Sequence, residues 1–313
     1  MFSAIRIFLL TVLLAGAGTT LYAQRPLTGI VHDAQGTAVP FAVVELPAHH
    51  LGVQANQDGY FSLPLPTGLT STDSLAVSAL GFQRLRLPVP ATAATRLQLQ
   101  ALPVSLAGVT VHATAIAPQW LGPEEDTERF GFSQNGLSPE KNTGWQVARY
   151  FQPAAAGYLT GARFFVNGNG SGNCDKKLLK TPFRIRVYTA DGPNGGPGTD
   201  LLTASVLASA AKAGWVTVDL RPYNLAFPAQ GVFVAMEWVY TSDQFLCSYQ
   251  YTQLPTKEKK TGTRYGQSLG GRLTPETQTW YYTITYGWRK FQTRDQTGQQ
   301  RIGDAAIQAQ YMP

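Results

Sequence analysis

The chain has 313 residues, of which 31 are Gly and 20 are Pro, and its formal net charge at pH 7 is +6. This length can hold two domains with buried cores, and the Thr, Val, Tyr and Phe content favours strands over helices. Apart from two short lysine runs, the Lys and Arg residues are scattered along the chain. This argues against a basic stripe for nucleic acid and indicates only a soluble surface.

The N-terminus has the pattern of a secretory signal peptide. Arg6 supplies a positive charge, Ile7 to Ala17 is an apolar stretch, and Ala23 ends a small-residue cleavage site. We therefore expect residues 1–23 to be removed, and the mature protein to reach the periplasm, the outer-membrane surface or the extracellular space. No later apolar run is long enough for a membrane span, so none is expected in the mature chain.

From Leu27 to Leu99, short alternating apolar runs are separated by turn pairs that contain glycine. This pattern predicts a small antiparallel β-sandwich. We expect Phe41–Leu46 to form its second strand, and Asn56–Gly59 to form a hairpin turn in which Asp58 caps its own backbone. The turn pairs are Gln35-Gly36, Asp58-Gly59, Thr67-Gly68 and Leu80-Gly81.

Three motifs in this segment occur in an order that resembles the carboxypeptidase regulatory-like module. They are G-x-V-x-D-x-x-G-x-x-V-P-F-A-x-V from Gly29, G-V-x-x-N-x-D-G-Y-F-x-L from Gly52, and L-x-V-S-A-L-G-F from Leu75. The resemblance implies a transthyretin-like sandwich over residues 24–112 and a scaffold, but no reaction. In outer-membrane nutrient receptors such a module precedes a large barrel, for which the roughly 200 remaining residues are too few. Leu106, Val109 and Val111 look like a closing strand.

Residues 113–143 have the composition of a linker or irregular entry segment, with several prolines and an acidic cluster. Strand patterns return over residues 144–313, and no helical period holds for three turns. We therefore predict a second β-sandwich of jelly-roll type. The expected strands are Trp145–Phe151, Gly157–Val166, Phe183–Tyr188, Trp215–Leu220, Gly231–Tyr240, Phe245–Tyr251, Thr279–Tyr286 and Ala305–Tyr311.

The order of four motifs in this second half is similar to jelly-roll accessory domains of secreted bacterial proteins. The motifs are F-R-I-R-V-Y, D-G-x-x-G-G-P-G-T, G-W-V-T-V-D-L and G-V-F-V-A-M-E-W. The glycine-rich motif lacks the G-K-[ST] ending of a phosphate loop, so turn chemistry explains it.

The chain contains two cysteines, Cys174 and Cys247. In an oxidising compartment an even pair predicts one disulfide, and two unpaired thiols are the alternative. The disulfide would close a loop of about 70 residues, which adds roughly 3–4 kcal/mol to the free energy of unfolding in the chain-entropy model.

Neither a metal ion nor a cofactor is expected. His49 and His50 are adjacent and have no cysteine or carboxylate at ligand spacing, which favours a solvated loop over a metal site. The acidic cluster lacks the alternating carboxylates of a calcium loop, so it is expected to be a solvated turn. Its members are Glu124, Glu125, Asp126 and Glu128.

Catalysis is not expected either. All four histidines lie in or next to the first domain, which excludes a Ser-His-Asp triad or a histidine-ligated metal centre confined to the second. Glu237 is the best candidate acid because its strand is apolar on both faces, where a carboxylate must be paired or have a raised pKa. Arg184 or Arg186 could neutralise it. No second carboxylate is evident, so a carboxylate-dependent glycoside hydrolase is the last of three hypotheses.

Aromatic residues are the strongest functional feature of the second half, because their flat faces can stack on sugar rings. Strand alternation predicts Trp280, Tyr282, Ile284 and Tyr286 on one face, with Trp288 nearby. If this row is exposed it is a binding platform, and if it faces the partner sheet it is core.

The sequence therefore favours an exported, non-catalytic binding or structural protein of the cell envelope. Its partner would be an envelope protein or a polysaccharide. The specific alternative is a carbohydrate-binding protein that uses Trp280, Tyr282, Tyr286 and Trp288.

Overall fold

The computed structural model describes residues 26–102, 117–123, 130–135, 143–167, 174, 178–253, 256–294 and 300–313. Over these ranges the regular secondary structure is almost entirely β-strand, which confirms the all-β fold class. The helices whose bounds are described are single 3-10 turns, and no described helix is long and apolar enough to cross a membrane. These turns are Pro47–His49, Pro193–Gly195, Arg221–Tyr223 and Asp243–Phe245.

The first sandwich has seven strands, which are β1 (Leu27–His32), β2 (Val43–Leu46), β3 (Leu51–Gln54), β4 (Tyr60–Leu63), β5 (Ser74–Ser78), β6 (Leu85–Pro88) and β7 (Ala94–Gln98). They form two small sheets with strand orders β4-β1-β7 and β3-β2-β5-β6. β7 runs parallel to β1, and the other pairs are antiparallel. Buried side chains from both sheets, among them Val31, Val44 and Phe61, form one core.

Two local predictions for this sandwich are wrong. The turn at Asn56–Gly59 is not a hairpin, because β3 pairs with β2 whereas β4 pairs with β1, so the turn carries the chain between sheets. Its cap is Asn56, whose Oδ1 accepts hydrogen bonds from the backbone N–H groups of Asp58 (3.0 Å) and Tyr60 (2.9 Å). The second strand begins at Val43, because Phe41 has a φ of 58°, which no strand residue adopts.

The strands of the second half of the chain are β8 (Gln119–Leu121), β9 (Phe130–Asn135), β10 (Gln146–Phe151), β11 (Gly157–Asn167), β12 (Phe183–Thr189), β13 (Val206–Ala208), β14 (Gly214–Asp219), β15 (Leu225–Phe227), β16 (Val232–Trp238), β17 (Leu246–Gln253), β18 (Glu258–Leu273), β19 (Thr279–Thr283), β20 (Gly287–Lys290), β21 (Thr293–Arg294), β22 (Gln300–Arg301), β23 (Gly303–Ala305) and β24 (Ile307–Met312). The second sandwich is built from a six-stranded sheet, with order β13-β12-β16-β10-β19-β20, and a nine-stranded sheet. The larger sheet has the order β17-β18-β11-β24-β8, with β14 and β15 paired to β11 and with β9 and β23 paired to β18, whereas β21 and β22 pair with each other.

The core of this sandwich lies between its two sheets. Phe183, Ile185 and Val187 of β12 are fully buried there. Successive side chains on a strand point to opposite faces, so the residues between them face outward. β16 is buried along its whole length and lies inside its sheet, as predicted.

The first sandwich packs on the outward face of the six-stranded sheet. The Arg184 Nη2 group donates a hydrogen bond to the Phe41 carbonyl (3.1 Å), and the Tyr240 N–H donates to Gln54 Oε1 (2.8 Å). Gly81 lies so close to the Thr203 carbonyl that a side chain would not fit. These contacts explain why β16 is buried on both faces although its sheet is the outer layer of its own sandwich.

Cys174 and Cys247 form a disulfide, which confirms the predicted pairing. The predicted signal peptide, the closing strand at Leu106–Val111 and the acidic cluster lie outside the described residues. β8 and β9 fall within the stretch expected to be a linker and pair in the nine-stranded sheet. The domain boundaries, like the transthyretin-like and jelly-roll assignments, stay predictions.

Candidate functional site: a cleft between the two sandwiches

A cleft of about 620 Å³ lies where the two sandwiches meet. The outward face of the six-stranded sheet forms its floor, β2 and the segment before β6 form one wall, and the loop before β13 forms another. We call this feature the inter-sandwich cleft. The charged side chains that line it, with the neighbouring polar and aromatic ones on the floor, are Glu45, Arg84, Gln146, Arg184, Arg186, Tyr188, Asp200, Glu237, Tyr282 and Trp288.

Strand register places five of these residues in one row across the floor. Arg184 of β12 lies opposite Glu237 of β16, and Glu237 lies opposite Gln146 of β10. On the other side of β10, Gln146 lies opposite Tyr282 of β19, which in turn faces Trp288 of β20. Directly opposed residues in antiparallel strands share a face, so the row runs from charged to aromatic across the cleft.

Glu237 lies at the charged end of this row and contacts both arginines of β12. Its Oε2 atom is 3.3 Å from Arg186 Nη1 and 3.8 Å from Arg184 Nε. The expected neutralisation of Glu237 by these arginines is confirmed. Arg186 also contacts a second carboxylate, because its Nε lies 2.6 Å from Asp200 Oδ2.

Tyr188 links the charged and aromatic ends of the floor. Its hydroxyl accepts a hydrogen bond from Arg186 Nε (3.0 Å) and donates one to Gln146 Oε1 (2.6 Å). The indole of Trp288 lies 5.4 Å, between ring centroids, from both Tyr188 and Tyr282. These contacts fix the side chains before any ligand arrives, as a specific binding site requires.

Burial shifts the protonation of several groups in the cleft. It raises the pKa of Asp200 to about 6, although Arg186 acts in the opposite direction. Burial also raises the pKa of Glu45, against Arg84, whose Nη2 donates to Glu45 Oε2 at 2.6 Å. The pKa of Tyr282 rises to about 12, again mainly by burial, with a smaller contribution from the charge of Glu45.

Three buried polar atoms at the floor form no hydrogen bond with any described residue. They are Arg184 Nε, Asp200 Oδ2 and Glu237 Oε2. Each lies within ion-pair distance of an opposite charge, but outside hydrogen-bonding geometry. Charge pairing therefore satisfies these atoms, and it holds Arg184 and the two carboxylates in place within the cleft.

The four predicted binding residues lie in different surroundings. Trp280 is only 8% exposed and packs with Ala148 and Phe233 in a small apolar cluster outside the main core. Tyr282 and Trp288 are half-buried and line the cleft. Tyr286 is 59% exposed and lies in the turn after β19, where Arg289 covers its ring at 4.3 Å. β19 ends at Thr283, so Ile284 and Tyr286 are not part of its row.

Several residues of the cleft were not recognised from the sequence. Glu45 occurs in the apolar run V-V-E-L, where a charged residue among buried neighbours was the available signal. Asp200 comes from an irregular segment, and nothing local indicates that it reaches Arg186. Tyr188 and Gln146 were predicted only as strand residues.

Among the described residues, no group of three or more His, Cys, Asp and Glu side chains is placed to hold a metal ion. In the loop that contains the adjacent histidines, His49 Nε2 lies 3.1 Å from Asp73 Oδ1. His49 thus has a carboxylate neighbour that the sequence did not reveal.

The chain matches no known protein-family profile, and no curated protein is significantly similar to it. The resemblance of residues 24–112 to the carboxypeptidase regulatory-like module therefore stays a hypothesis.

Proposed function

We propose that this protein is a non-catalytic carbohydrate-binding protein of the cell envelope and that the inter-sandwich cleft is its sugar site. The observation that carries the proposal is the row across the cleft floor, in which Tyr282 and Trp288 continue into polar residues. Aromatic rings can stack on the apolar face of a sugar, and the neighbouring polar groups can bind its hydroxyls.

The charges of the cleft favour a neutral ligand. Three arginines are balanced by three carboxylates, since Arg84 contacts Glu45 and Arg186 contacts both Asp200 and Glu237. An anion or a cation would add an unpaired charge to this poorly solvated cleft, which is energetically unfavourable. A hydroxyl can both donate and accept, so sugar hydroxyls suit the mixed donors and acceptors that line the cleft, such as Arg84, Gln146 and Tyr282.

The size of the cleft agrees with such a ligand. Its volume of about 620 Å³ falls within the range of about 300–1,000 Å³ that is usual for small-molecule sites. The end of a glycan chain, or a short oligosaccharide, suits this space better than a broad protein surface does.

The location in the cell envelope is part of the same proposal. A disulfide is suited to an oxidising compartment, and the N-terminal pattern is typical of export. A polysaccharide of the envelope would be the natural source of the ligand. A purely structural role with a protein partner is the competing hypothesis.

One observation favours a second candidate, glycoside hydrolysis. Asp200 and Glu237 share the cleft, and burial raises the pKa of Asp200 to about 6, which suits a general acid. Both carboxylates, however, contact Arg186, and its charge acts against the protonated form of Asp200 that a general acid needs. Release of reducing sugar by the wild-type protein, absent in Asp200→Asn, would favour this candidate over simple binding.

A glycan array of neutral oligosaccharides tests the proposal, followed by calorimetric titration of any ligand it finds. Trp288→Leu keeps apolar bulk but removes the flat ring, so we expect at least a tenfold loss of affinity. Tyr286→Ala is the matched control, because this exposed ring lies outside the cleft. Wild-type protein that binds no glycan, or Trp288→Leu that binds as tightly as wild type, would contradict the proposal.

A further inference from the structure

A second groove of about 660 Å³ lies on the outward face of the nine-stranded sheet. We call it the outer groove. β11 and β14 form much of its floor, and Pro118, just before β8, and Met312 of β24 complete its rim. The side chains that matter for its chemistry are Tyr158, Thr217, Asp219, Arg221, Asn224 and Gln310.

A glycine in the middle of β11 lies beside two residues that line the groove, Asp219 and Gln310. Gly161 lies between Gln310 of β24 and Asp219 of β14 in one cross-strand row. A Cβ atom at this position would lie 3.1 Å from Gln310 Oε1, so any side chain would reduce the space above the sheet. Glycine inside a strand often marks such a place of close approach.

The outer groove has both apolar and polar walls. Tyr158 and Met312 face each other across β11 and β24, and each is 37% exposed. Thr217 and Asn224 are also exposed, and Gln310 is half-buried. The groove thus offers an aromatic ring beside hydroxyl and amide groups that can both donate and accept hydrogen bonds.

The charges at the rim cancel each other. Arg221 donates to Asp219 through two side-chain nitrogens, with Nε to Oδ1 at 2.9 Å and Nη2 to Oδ2 at 2.7 Å. These hydrogen bonds lower the pKa of Asp219 to about 2, so the pair is ionised at any physiological pH. The groove therefore has no net charge to attract an ionic ligand.

Flat side chains continue beyond the groove on the same sheet. Trp120 lies opposite Gln310, and Trp215 is two residues from Thr217 on β14. Between the two indoles lies the guanidinium of Arg163, 4.5 Å from the Trp120 ring centroid and 4.9 Å from that of Trp215. Arg163 covers a face of each indole, so this layer borders the groove without adding an open aromatic face.

We propose that the outer groove is a second glycan site, which binds the interior of an extended neutral polysaccharide. Its exposed tyrosine, neutral rim and alternating donors and acceptors match sugar rings and their hydroxyls. Because the groove lies on the outward face of the sheet, a long chain can cross it, whereas an enclosed pocket would admit only a chain end. This inference depends on the groove alone and does not require the cleft to bind sugar.

The two sites lie on opposite faces of one sandwich. Phe164 of β11 packs edge-on against Phe183 of β12 within the core, at 5.3 Å between ring centroids. The outward faces of the two sheets therefore point away from each other. A protein with a site on each face can hold two glycan chains at once, and the second contact strengthens attachment to a polymer.

Affinity electrophoresis in gels that contain a soluble β-glucan, a galactomannan or an α-glucan tests the outer groove. We expect at least one of these neutral polysaccharides to retard the wild-type protein. Tyr158→Ala should reduce the apparent affinity about tenfold, whereas Tyr158→Phe, which keeps the ring, should retain most of it. Leu207→Ala, an exposed residue on the opposite sheet, is the control for general effects.

Trp288→Leu separates this inference from the cleft. If the groove binds polymer, that variant is still retarded, even where its oligosaccharide binding is lost. Absence of retardation of the wild-type protein in all three gels would overturn the inference. A Tyr158→Ala variant that folds normally and is retarded as strongly as wild type would also overturn the inference.

Discussion

Arg184 and Glu237 lie opposite each other on β12 and β16, and both are almost fully buried, at 2% and 1% exposure, although they point away from the core of their own sandwich. The first sandwich covers them and supplies the Phe41 carbonyl as a hydrogen-bond acceptor for Arg184. The ion pair thus lies at the junction between the two sandwiches. The same residues that shape the cleft also help to hold the sandwiches together.

Glu237→Gln should destabilise the fold strongly. Removing one partner of a buried pair leaves uncompensated charge, here on Arg184, since Arg186 keeps Asp200, and typically costs about 3–5 kcal/mol. Urea unfolding measures this change. Glu258→Gln is the matched control, because Glu258 meets Lys260 in solvent at 3.8 Å, and it should cost less than about 1 kcal/mol. Equal effects of the two substitutions would contradict the account of the junction.

The pH dependence of stability should reveal Asp200. Its pKa is about 6 in the folded protein, against 3.8 for an unperturbed aspartate, so folding favours the protonated form. The stability that it contributes is complete below about pH 4 and is lost as the pH rises through 6. Relative to Asp200→Asn, the wild-type free energy of unfolding should fall by up to about 3 kcal/mol over that interval. If the stability of wild type relative to Asp200→Asn instead rises with pH, the raised pKa of Asp200 is contradicted.

Reduction of the Cys174–Cys247 disulfide should lower stability by roughly 3–4 kcal/mol, because the unfolded chain regains the freedom of a long loop. Thermal unfolding with and without dithiothreitol measures the loss. The double variant with alanine at both positions should match the reduced protein and should not respond to the reductant. If reduction leaves the melting temperature unchanged, the loop-closure account fails.

Asn56→Ala should cost about 1–2 kcal/mol, since two backbone donors lose their acceptor. Asp58→Ala should cost much less, because the Asp58 side chain is not the cap. Chemical unfolding of the two variants distinguishes the observed capping from the sequence-based expectation. A larger loss in Asp58→Ala would reverse this assignment.

Much of the second sandwich could be predicted from alternation. In β12 the apolar residues Phe183, Ile185 and Val187 alternate with Arg184 and Arg186, and the structure separates them onto two faces. By contrast β18, the long strand Glu258–Leu273, was not predicted. It begins with lysines and contains several glycines, so neither hydrophobic period nor strand propensity identifies it.

The cleft could be predicted only in part, because it is a tertiary feature. The sequence identified Glu237 as a buried acid that needs an arginine, and the structure supplies two. Nothing in the sequence indicates that another sandwich covers this face or that Asp200 reaches Arg186 from a loop. Strand alternation predicts that a side chain faces outward, but it cannot predict that a second domain covers that face.

The most direct test of the central claim is an NMR titration that follows the indole N–H of Trp288, assigned by its absence in Trp288→Leu, with a neutral oligosaccharide selected on the array. The account predicts a saturable shift of this signal with the affinity found by calorimetry, together with changes at Tyr282. An unchanged Trp288 signal while other residues shift would place the sugar elsewhere and contradict the assignment of the inter-sandwich cleft.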